Sequence, residues 1–487
     1  MKIENENVAS VESRCCLNRE TMIKQLIVPV LWCIALCVQA QPALRLPSVI
    51  GNHAVLQQSS PVKLWGWAPG SWPVKISCSW NPTDTVVAQP GKDCSWSAVV
   101  NTPKAGGPYT ITFISDKQRI VIDDILTGEV WLCSGQSNME FNFTWSQGVL
   151  DAGDAVAQSA NKSIRFFQVT RAYDHYPQAN CQGEWKVCSP ETVAGMSAVG
   201  YFFGKKLNET TGLPVGLIAS YWGGSAVQTW IPQPVLERRP ELVQLADKIQ
   251  PVSWAPTASS LLYNGMIAPV APYRMAGVIW YQGEANTDFP QDYGALFTSM
   301  ITGWREAFRQ ELPFYYVQIA PCSCYSGLNG ALLREQQETA LALPQTGMIT
   351  VGDLVDNIRD IHPKLKKEVG NRLANMVLKE RYAKSDIQPY APRFAAFKTE
   401  KNRAVVSVTS VGRLTCKTKT IANFQLAGDD RVFYPAVALL DRMGHIVLTA
   451  KEVKAPVAVR YCFTNDAMPG LFDVNGLPLV PFRTDKW

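Results

Sequence analysis

The stretch Gly128-Glu129-Val130-Trp131-Leu132-Cys133-Ser134-Gly135-Gln136-Ser137-Asn138-Met139-Glu140 decides the interpretation of this chain. Within it, an apolar, β-like run from Val130 to Cys133 leads into a short polar turn. The strand fixes the backbone, and Gly135 permits a sharp bend that brings the chain close to a substrate. This pattern is typical of α/β folds that present a nucleophilic serine at the end of a strand. Ser137 is therefore the first candidate, and an ordinary loop at a strand end is the competing interpretation.

Length and composition indicate a globular protein with more than one domain. With 487 residues, 47% of them apolar, the chain is long enough for two or three domains of roughly 100 to 200 residues each. The net charge is only +5, and Lys and Arg form no long run. Nucleic acid or another polyanion is therefore not the favoured partner.

The N-terminal region has the pattern of a secretory signal peptide. An apolar segment from Leu26 to Val38 follows a single lysine and ends in Val38-Gln39-Ala40, which predicts cleavage after the alanine. The segment is shorter than the roughly 20 residues that span a membrane. We expect residues 1–40 to form an N-terminal extension and signal peptide, with no membrane attachment after cleavage and an extracellular or lysosomal destination. The polar residues 1–21 leave open whether Met22 is the true start, and an uncleaved anchor is the alternative.

Secretion predicts disulfide bridges. Four of the thirteen cysteines precede the expected cleavage site, and the odd number that remains leaves at least one thiol free. We expect this thiol to be Cys133, buried in the strand before Ser137. Connectivity cannot be derived from sequence, but three bridges are plausible: Cys78 with Cys94, Cys181 with Cys188, and Cys416 with Cys462.

No metal ion or cofactor is expected. Cys322 and Cys324 have no nearby partners in the sequence, and no CxxC pair or histidine-rich spacing occurs, as a structural zinc site would require. N-glycosylation agrees with a secreted protein and is expected at three acceptor sequons, which begin at Asn142, Asn161 and Asn208.

Short, alternating strands dominate both ends of the predicted mature chain. Runs such as Val62 to Trp67 lie in residues 41–124, and runs such as Ala404 to Val408 lie in residues 389–487, with turn residues between them. These regions are predicted as an N-terminal β-domain and a C-terminal β region. We expect their tryptophans in the cores, where aromatic side chains supply much of the buried area.

Strands alternate with helices between these two regions, in residues 125–388. Such alternation predicts a parallel sheet with helices on both faces, that is, a three-layer α/β/α domain. A polar, loop-rich insertion is expected at about residues 145–197. Ligands bind beyond the carboxyl ends of parallel strands, and three glycine-bearing turns follow predicted strands there: Ser134 to Asn138, Tyr221 to Ser225, and Gln282 to Asn286.

A serine nucleophile requires a base, which is usually histidine. The chain has four histidines. His53 and His445 lie in the two β regions, and His175 lies in the insertion. Only His362 follows the last predicted strand of the α/β region, just before a helix. His362 is therefore the candidate base, and a surface-loop histidine is the competing interpretation.

Five sequence motifs follow one another along the chain. They are Gly135-Gln136-Ser137-Asn138-Met139, Trp222-Gly223-Gly224, Trp280-Tyr281-Gln282-Gly283-Glu284-Ala285-Asn286, Asp360-Ile361-His362-Pro363 and the closing Pro481-Phe482-Arg483-Thr484-Asp485. Together this set resembles the secreted sialate O-acetylesterases, within the SGNH hydrolase group. The likeness extends over roughly residues 47–487, so it is far more specific than any single motif.

The resemblance implies an SGNH-type fold and hydrolysis of acetyl esters on sialic acids, notably at the 9-hydroxyl. Ser137 would attack the acetyl carbonyl while His362 accepts its proton, and water would then release the acetyl group with His362 again as base. An O-acetylated sialic acid or sialoglycan is the implied substrate. The oligomeric state cannot be predicted.

The resemblance also assigns supporting roles around the serine. Oxyanion donors would be the backbone N–H groups of Ser137 and of Gly223 or Gly224, together with the side-chain amide of Asn286. Three further side chains are expected to line the site and to orient groups or contact the sugar: Gln136, Gln282 and Glu284.

Two features depart from the wider SGNH pattern. That group often carries its acid three residues before the histidine, where this chain has Arg359. Asp360 lies two residues before and would have to fold back to reach the ring, so Asp353, Asp356 or a backbone carbonyl is an alternative, as is a Ser/His dyad. The opening motif, Gly-Gln-Ser-Asn-Met in place of Gly-Asp-Ser, narrows the assignment to carbohydrate acetylesterases.

Two other functions compete with this one. The first is an esterase of plant or microbial glycans, such as an acetylxylan esterase of similar fold. The second is a catalytically silent glycan-binding protein with the β-domains as its active surface. The intact Ser/His pair favours an enzyme.

Overall fold

The computed structural model describes residues 43–150, 152–416 and 420–487. The predicted signal peptide lies outside these residues. In the described part of the chain, no helix is both long and apolar enough to cross a membrane.

A seven-stranded sheet forms the centre of the molecule. Its first six strands run parallel and the last one is antiparallel. In spatial order the strands are Thr346–Ile349, Phe314–Val317, Gly277–Tyr281, Gln118–Gly135, Val215–Tyr221, Asn161–Gln168 and Trp185–Cys188.

Helices cover both faces of this sheet. Successive side chains of a strand point to opposite faces, and accordingly Trp131 and Cys133 pack into one core while Val130 and Leu132 pack into another. The first core contains helices Ala198–Thr211 and Lys366–Arg381, and the second contains helix Tyr293–Phe308. The predicted α/β class with additional β regions agrees with this packing, and the antiparallel edge strand makes the sheet mixed and not purely parallel.

The strand that carries the serine is unusually long. It covers Gln118–Gly135, eighteen residues, and so crosses the predicted boundary at residue 124. Its first part pairs with strand Gly106–Ser115 of the N-terminal β region, and its second part lies between the strands Val215–Tyr221 and Gly277–Tyr281. One continuous strand therefore connects the N-terminal β region to the central sheet. The other N-terminal strands are Val55–Gln57, Pro61–Trp67, Val74–Cys78, Asn81–Ala88 and Ser95–Asn101.

The insertion at residues 145–197 differs from its predicted loop-rich character. It supplies two strands of the central sheet, Asn161–Gln168 and Trp185–Cys188, and two short helices, Ala152–Ala157 and Pro190–Val193. Buried Ile164, Phe166 and Phe167 hold the first strand in place. Polar residues on either side of this short apolar run hide it from a sequence-based prediction.

The remaining helices are short and connect the strands of the central sheet. The α-helices are Ser137–Glu140, Gln233–Glu237, Pro240–Ala246 and Asn329–Gln337, with a π-helix at Tyr263–Ile267. Turns of 3₁₀-helix are Val227–Trp230, Ala268–Val270, Glu284–Asn286, Pro290–Asp292 and Glu338–Ala342.

The C-terminal region is all β and encloses a core of its own. Two four-stranded antiparallel sheets and a two-stranded pair build it. The strands are Arg393–Glu400, Arg403–Thr409, Thr415–Cys416, Phe424–Ala427, Phe433–Pro435, Val437–Leu440, Ile446–Thr449, Ala458–Tyr461, Leu471–Phe472 and Phe482–Arg483.

The predicted disulfides are wrong. Cys78, Cys94, Cys181, Cys188 and Cys462 are free thiols, so the expected bridges from Cys78 to Cys94, from Cys181 to Cys188 and from Cys462 to Cys416 are absent. The bridge that the structure contains joins Cys322 to Cys324. Burial raises the pKa of the Cys78 and Cys188 thiols to about 12, and these side chains pack as small apolar groups. Cys133 is a buried free thiol, as predicted.

Candidate active site

Ser137 stands at the end of the long central strand, in a turn whose shape depends on glycine. Gly135 has a φ of +136°, and a Cβ added there would lie 2.2 Å from the carbonyl oxygen of Tyr281 on the neighbouring strand. The next backbone N–H, that of Gln136, donates to this same carbonyl at 3.0 Å. The turn is thereby held against the adjacent strand, and Ser137 begins a one-turn helix.

His362 meets the serine as the sequence predicted. Its Nε2 lies 2.8 Å from Ser137 Oγ, although 225 residues separate the two in sequence. The edges of the Phe141 and Trp145 rings approach the imidazole, with ring centroids 6.2 and 5.7 Å away. Burial, and then the charge of Lys366, lower the pKa of His362 from its ordinary value. The neutral imidazole, the form that a general base requires, therefore predominates at pH 7.

Of the three candidate acids, only Asp360 lies near the imidazole. Its Oδ1 is 3.7 Å from His362 Nδ1, which is beyond hydrogen-bond distance, and it accepts the backbone N–H of His362 at 2.9 Å. Asp353 forms a bidentate ion pair with Arg372, at 2.7 and 2.6 Å. Asp360 thus holds the loop and contributes charge near the ring, whereas Asp353 is engaged elsewhere.

Asp356 is also committed to another partner. Its Oδ1 accepts the backbone N–H of Lys364 at 2.9 Å, and the Lys364 ammonium lies 4.0 Å from its other oxygen. Asp356 therefore stabilises the loop that carries His362. The arrangement is a Ser/His pair with a loosely placed carboxylate.

The predicted set of oxyanion donors requires correction. The backbone N–H of Gly223 donates to Glu140 Oε2 at 2.7 Å. The Asn286 side chain is only 3% exposed; its oxygen accepts from Val227 N–H and Gln282 Nε2, and its nitrogen donates to Gln228. Asn286 is absent from the cavity lining and holds the scaffold together.

Two backbone N–H groups remain available beside the serine. Within residues 43–150, 152–416 and 420–487, the N–H groups of Ser137 and Gly224 donate to no protein acceptor. Both residues line the same cavity as His362. They are the donors that this structure offers to a developing oxyanion.

The three predicted lining residues separate into two kinds. Gln136 and Glu284 line the cavity, and Gln136 also accepts the backbone N–H groups of Gly283 and Ala285 at 3.2 Å. Gln282 is fully buried and bonded to Ser225 and Asn286. Of the two roles predicted for Gln282, orienting a neighbour or contacting the sugar, this packing favours the first, because its side chain points into the interior.

A buried ionic network lies under the serine and was not predicted. Lys366 Nζ donates to Asn138 Oδ1, and Asn138 Nδ2 donates to Glu284 Oε1, both at 2.5 Å. Burial lowers the pKa of Lys366 to about 7, and burial raises the pKa of Glu284. The network connects the serine helix, the Glu284 turn and the helix after His362.

Glu140 is a second residue that the sequence prediction missed. It closes the serine helix, accepts the N–H of Gly223, and pairs with Arg171. The guanidinium of Arg171 in turn lies 5.2 Å from the centre of the Trp222 ring. The sequence signal that could have identified Glu140 was its position three residues after Ser137, within the same motif.

The cavity in front of the serine has a volume of about 680 Å³. Most of the cavity surface is apolar, and among the described residues that line it acidic Glu284 and Asp288 are present while Lys and Arg are absent. No group of three or more His, Cys, Asp and Glu side chains in the described ranges could hold a metal ion. The cavity is large enough for a sugar as well as its acetyl group.

A serine and a histidine in hydrogen-bond contact beyond the carboxyl ends of parallel strands, facing a cavity of this size, define the class of α/β esterases. Comparison with known proteins gives the family. Residues 127–379, just over half of the chain, match the family described as "SASA: Carbohydrate esterase, sialic acid-specific acetylesterase". The chain belongs to this carbohydrate esterase family.

Individual relatives agree with this assignment. The sialate O-acetylesterase of Rattus norvegicus is 29% identical over 399 residues, which cover 68% of this chain and 72% of the rat protein. The Homo sapiens sialate O-acetylesterase is 29% identical over 369 residues, with 68% and 69% covered. The crystal structure of a carbohydrate acetylesterase from Xanthomonas citri is 34% identical, with a TM-score of 0.83, and covers 91% of this chain and 100% of its own.

Proposed function

We propose that this protein is a sialate O-acetylesterase that hydrolyses O-acetyl esters of sialic acids, notably 9-O-acetyl esters, through a serine acetyl-enzyme. The observation that carries the proposal is the 2.8 Å contact between Ser137 Oγ and His362 Nε2 at the cavity. Family membership supports the acetylated carbohydrate as the substrate class. An SGNH-type arrangement of the fold is part of the same proposal.

The reaction follows from the placement of the donors and the base. His362 accepts the Ser137 proton as Oγ attacks the acetyl carbonyl, and the backbone N–H groups of Ser137 and Gly224 stabilise the negative oxygen. The histidine then returns its proton to the leaving sugar hydroxyl. Water, deprotonated by His362, hydrolyses the acetyl-enzyme and restores Ser137.

Asp360 stabilises the protonated imidazole mainly through its charge and through the loop. A direct hydrogen bond from Nδ1 would require the 3.7 Å separation to shorten by close to 1 Å. The proposed machinery is therefore closer to a dyad than to a fully connected triad.

A second candidate is an acetylesterase of neutral glycans, such as acetylated xylan. The observation that favours it is the charge of the cavity: its described lining contains Glu284 and Asp288 and no Lys or Arg. A sialic acid carries a carboxylate, and charge-assisted hydrogen bonds from cations are the strong way to bind one. Neutral acetylated sugars make no such demand.

One experiment ranks the two candidates. Acetate release is measured from 9-O-acetylated sialic acid and from acetylated xylan with the same enzyme preparation. Faster turnover of the sialic acid ester supports the first proposal, and faster turnover of xylan replaces it with the second.

A second experiment tests the mechanism and the catalytically silent alternative together. Ser137→Ala is compared with the parent on an aryl acetate, which any serine esterase should accept. We expect the variant to fall to background while its melting temperature is unchanged. Hydrolysis at the parental rate would remove Ser137 from the mechanism, and an inactive parent would favour a glycan-binding protein.

We also propose that the protein enters the secretory pathway, to an extracellular or lysosomal destination, and is glycosylated at Asn142, Asn161 and Asn208. Asn161 Nδ2 donates to Asn208 Oδ1 at 2.9 Å, and Asn208 Nδ2 donates to the Leu213 carbonyl at 2.7 Å. Glycan attachment replaces one hydrogen of the amide nitrogen, so at either site the contact would have to use the hydrogen that remains. Mass analysis of the protein before and after deglycosylation measures how many sites are used.

A further inference from the structure

Three aromatic side chains that the proposed mechanism does not use lie beside the catalytic cavity, two of them exposed and the third, Trp222, half-buried. We call Tyr173, Trp222 and Trp254 the aromatic shelf. Trp254 is 65% exposed and Tyr173 is 59% exposed. Exposing a large aromatic side chain to water costs free energy. Aromatic side chains that stay exposed at the mouth of a cavity therefore indicate a binding surface.

The shelf is continuous with the catalytic cavity. Trp254 and Gly224 both line that cavity, and a Cβ added at Gly224 would lie 2.7 Å from the Trp254 indole. The indole therefore rests directly on the backbone that offers an oxyanion donor. A ligand bound across the shelf would lead directly to Ser137.

Two contacts hold the Tyr173 and Trp222 rings and the Trp254 backbone in place. Trp222 Nε1 donates to the Trp254 carbonyl at 3.1 Å. The Tyr173 ring meets Trp222 edge to face, with centroids 6.3 Å apart. Prearranged rings bind a ligand at a lower entropy cost than mobile ones.

The segment that carries Tyr173 is anchored to the protein body. The backbone N–H of Asp174 donates to the Leu261 carbonyl at 3.2 Å, and Asn264 Nδ2 donates to the Asp174 carbonyl at 3.1 Å. The backbone at Ala172 packs so closely on Gly265 that a Cβ there would lie 2.5 Å from its oxygen. The exposed tyrosine therefore stands on a rigid support.

The charge of the shelf selects a neutral ligand. Arg171 lies over Trp222 but is paired with Glu140, so this cation is compensated. The Asp174 carboxylate, next to Tyr173, accepts the backbone N–H of Tyr176 and disfavours an anionic ligand. Flat aromatic faces without a free cation suit the apolar C–H face of a neutral sugar unit, while the sugar hydroxyls remain in water.

We propose that the aromatic shelf is a second sugar-binding subsite, which holds the neutral sugar unit joined to the acetylated one. The inference rests on the proposed esterase function and extends its substrate from an acetylated sugar to an acetylated oligosaccharide. Tyr173, Trp222 and Trp254 are then specificity-determining residues, which act on binding of the chain and not on the acetyl transfer itself.

The test compares three substrates on one variant. Trp254→Ala is assayed with an aryl acetate, with 9-O-acetylated sialic acid and with 9-O-acetylated sialyllactose; if xylan is the better substrate, an acetylated methyl xyloside and acetylated xylotriose replace the last two. We expect kcat/KM to fall roughly tenfold further on the oligosaccharide than on the aryl acetate, mainly through KM. The acetylated monosaccharide should follow the aryl acetate.

Two further variants complete the test. Trp254→Phe keeps an aromatic face and should recover most of the oligosaccharide activity. Trp72→Ala removes a tryptophan that is 50% exposed in the N-terminal β region. This control variant should leave kcat/KM unchanged on all three substrates. Equal effects of Trp254→Ala on all three substrates, or none on any, would overturn the shelf proposal even if Ser137→Ala is inactive. Activity retained in Ser137→Ala would instead overturn the esterase mechanism on which the shelf depends.

Discussion

Two glycine turns at the same edge of the sheet, one after Gly135 and one after Gly283, look alike in sequence and behave differently in the structure. The first presents Ser137 to the cavity, 2.8 Å from His362. The second turns most of its polar groups inward, with Gln282 fully buried and Asn286 only 3% exposed. In the proposed mechanism, one turn supplies the reactive atom and the other supplies the support that fixes it.

The difference has a physical cause. Buried polar groups must find hydrogen-bond partners. The side chains of Gln136 and Gln282 find theirs in different places. Gln136 reaches from the first turn to the backbone of the second at 3.2 Å, while Gln282 bonds within the second turn to Asn286 at 2.8 Å. A polar residue in a motif near the active site can therefore stabilise the fold as readily as it can bind the substrate. The following variants test this division.

The largest expected effect is on the histidine that completes the reactive turn. His362→Ala should reduce kcat on an aryl acetate by roughly 10³-fold or more, close to the effect of Ser137→Ala, since the two act as a unit. His53→Ala, at an exposed histidine bonded to Asp124 at 2.7 Å, is the matched control and should retain full activity. Similar rates for the two variants would contradict the base assignment.

The second variant tests the scaffold turn. Asn286→Ala leaves the N–H of Val227 and the side chain of Gln228 without their partner, so we expect a loss of roughly 3 kcal/mol in the free energy of unfolding. An oxyanion donor would behave differently, with a loss of about 100 to 1000-fold in kcat at unchanged stability. Denaturant unfolding and steady-state kinetics on the same preparation distinguish the outcomes, and the kinetic pattern would restore Asn286 to the oxyanion hole.

A smaller effect is expected from the carboxylate beside the base. Asp360→Ala should lower kcat by roughly tenfold or less, because its oxygen lies 3.7 Å from the imidazole Nδ1 and makes no direct hydrogen bond. Asp360→Asn keeps an acceptor for the His362 backbone N–H and should lose less activity still. A loss as large as that of His362→Ala would show a fully connected triad.

The smallest effect concerns pH. The positive charge of Lys366 contributes, after burial, to the lowered pKa of His362, so Lys366→Met should raise this pKa and move the acid limb of the kcat/KM profile to higher pH. Lys367→Met, at the exposed neighbouring lysine, should leave the profile in place. An acid limb that moves to lower pH would contradict the electrostatic coupling.

Much of the fold was predictable from periodicity. The predicted alternation of strands and helices in residues 125–388 includes the strand Val215–Tyr221 and the helix Tyr293–Phe308, because long apolar patterns bounded by glycine or polar residues are unambiguous. The strand Asn161–Gln168 was missed, since its identity depends on pairing with a strand about 50 residues later in the chain. Tertiary pairing of this kind leaves little local signal.

The residues of the candidate site could be predicted from the sequence, but the orientations of their side chains could not. Ser137 and His362 were recognisable because a glycine turn and a single suitably placed histidine limited the choice. The orientations of Gln282 and Asn286, the commitment of Gly223 N–H to Glu140 and the burial of Lys366 depend on three-dimensional packing. Sequence spacing likewise could not show that the expected cysteine pairs form no bridges.

The most direct test of the reactive turn is covalent labelling by a fluorophosphonate, which reacts with activated serine hydroxyls. The protein is incubated with the reagent, digested and analysed by mass spectrometry. We predict one label per chain, located on Ser137, with labelling slowed strongly in His362→Ala. Labelling of a different serine, or an unchanged rate in His362→Ala, would contradict the assignment of Ser137 as a nucleophile activated by His362.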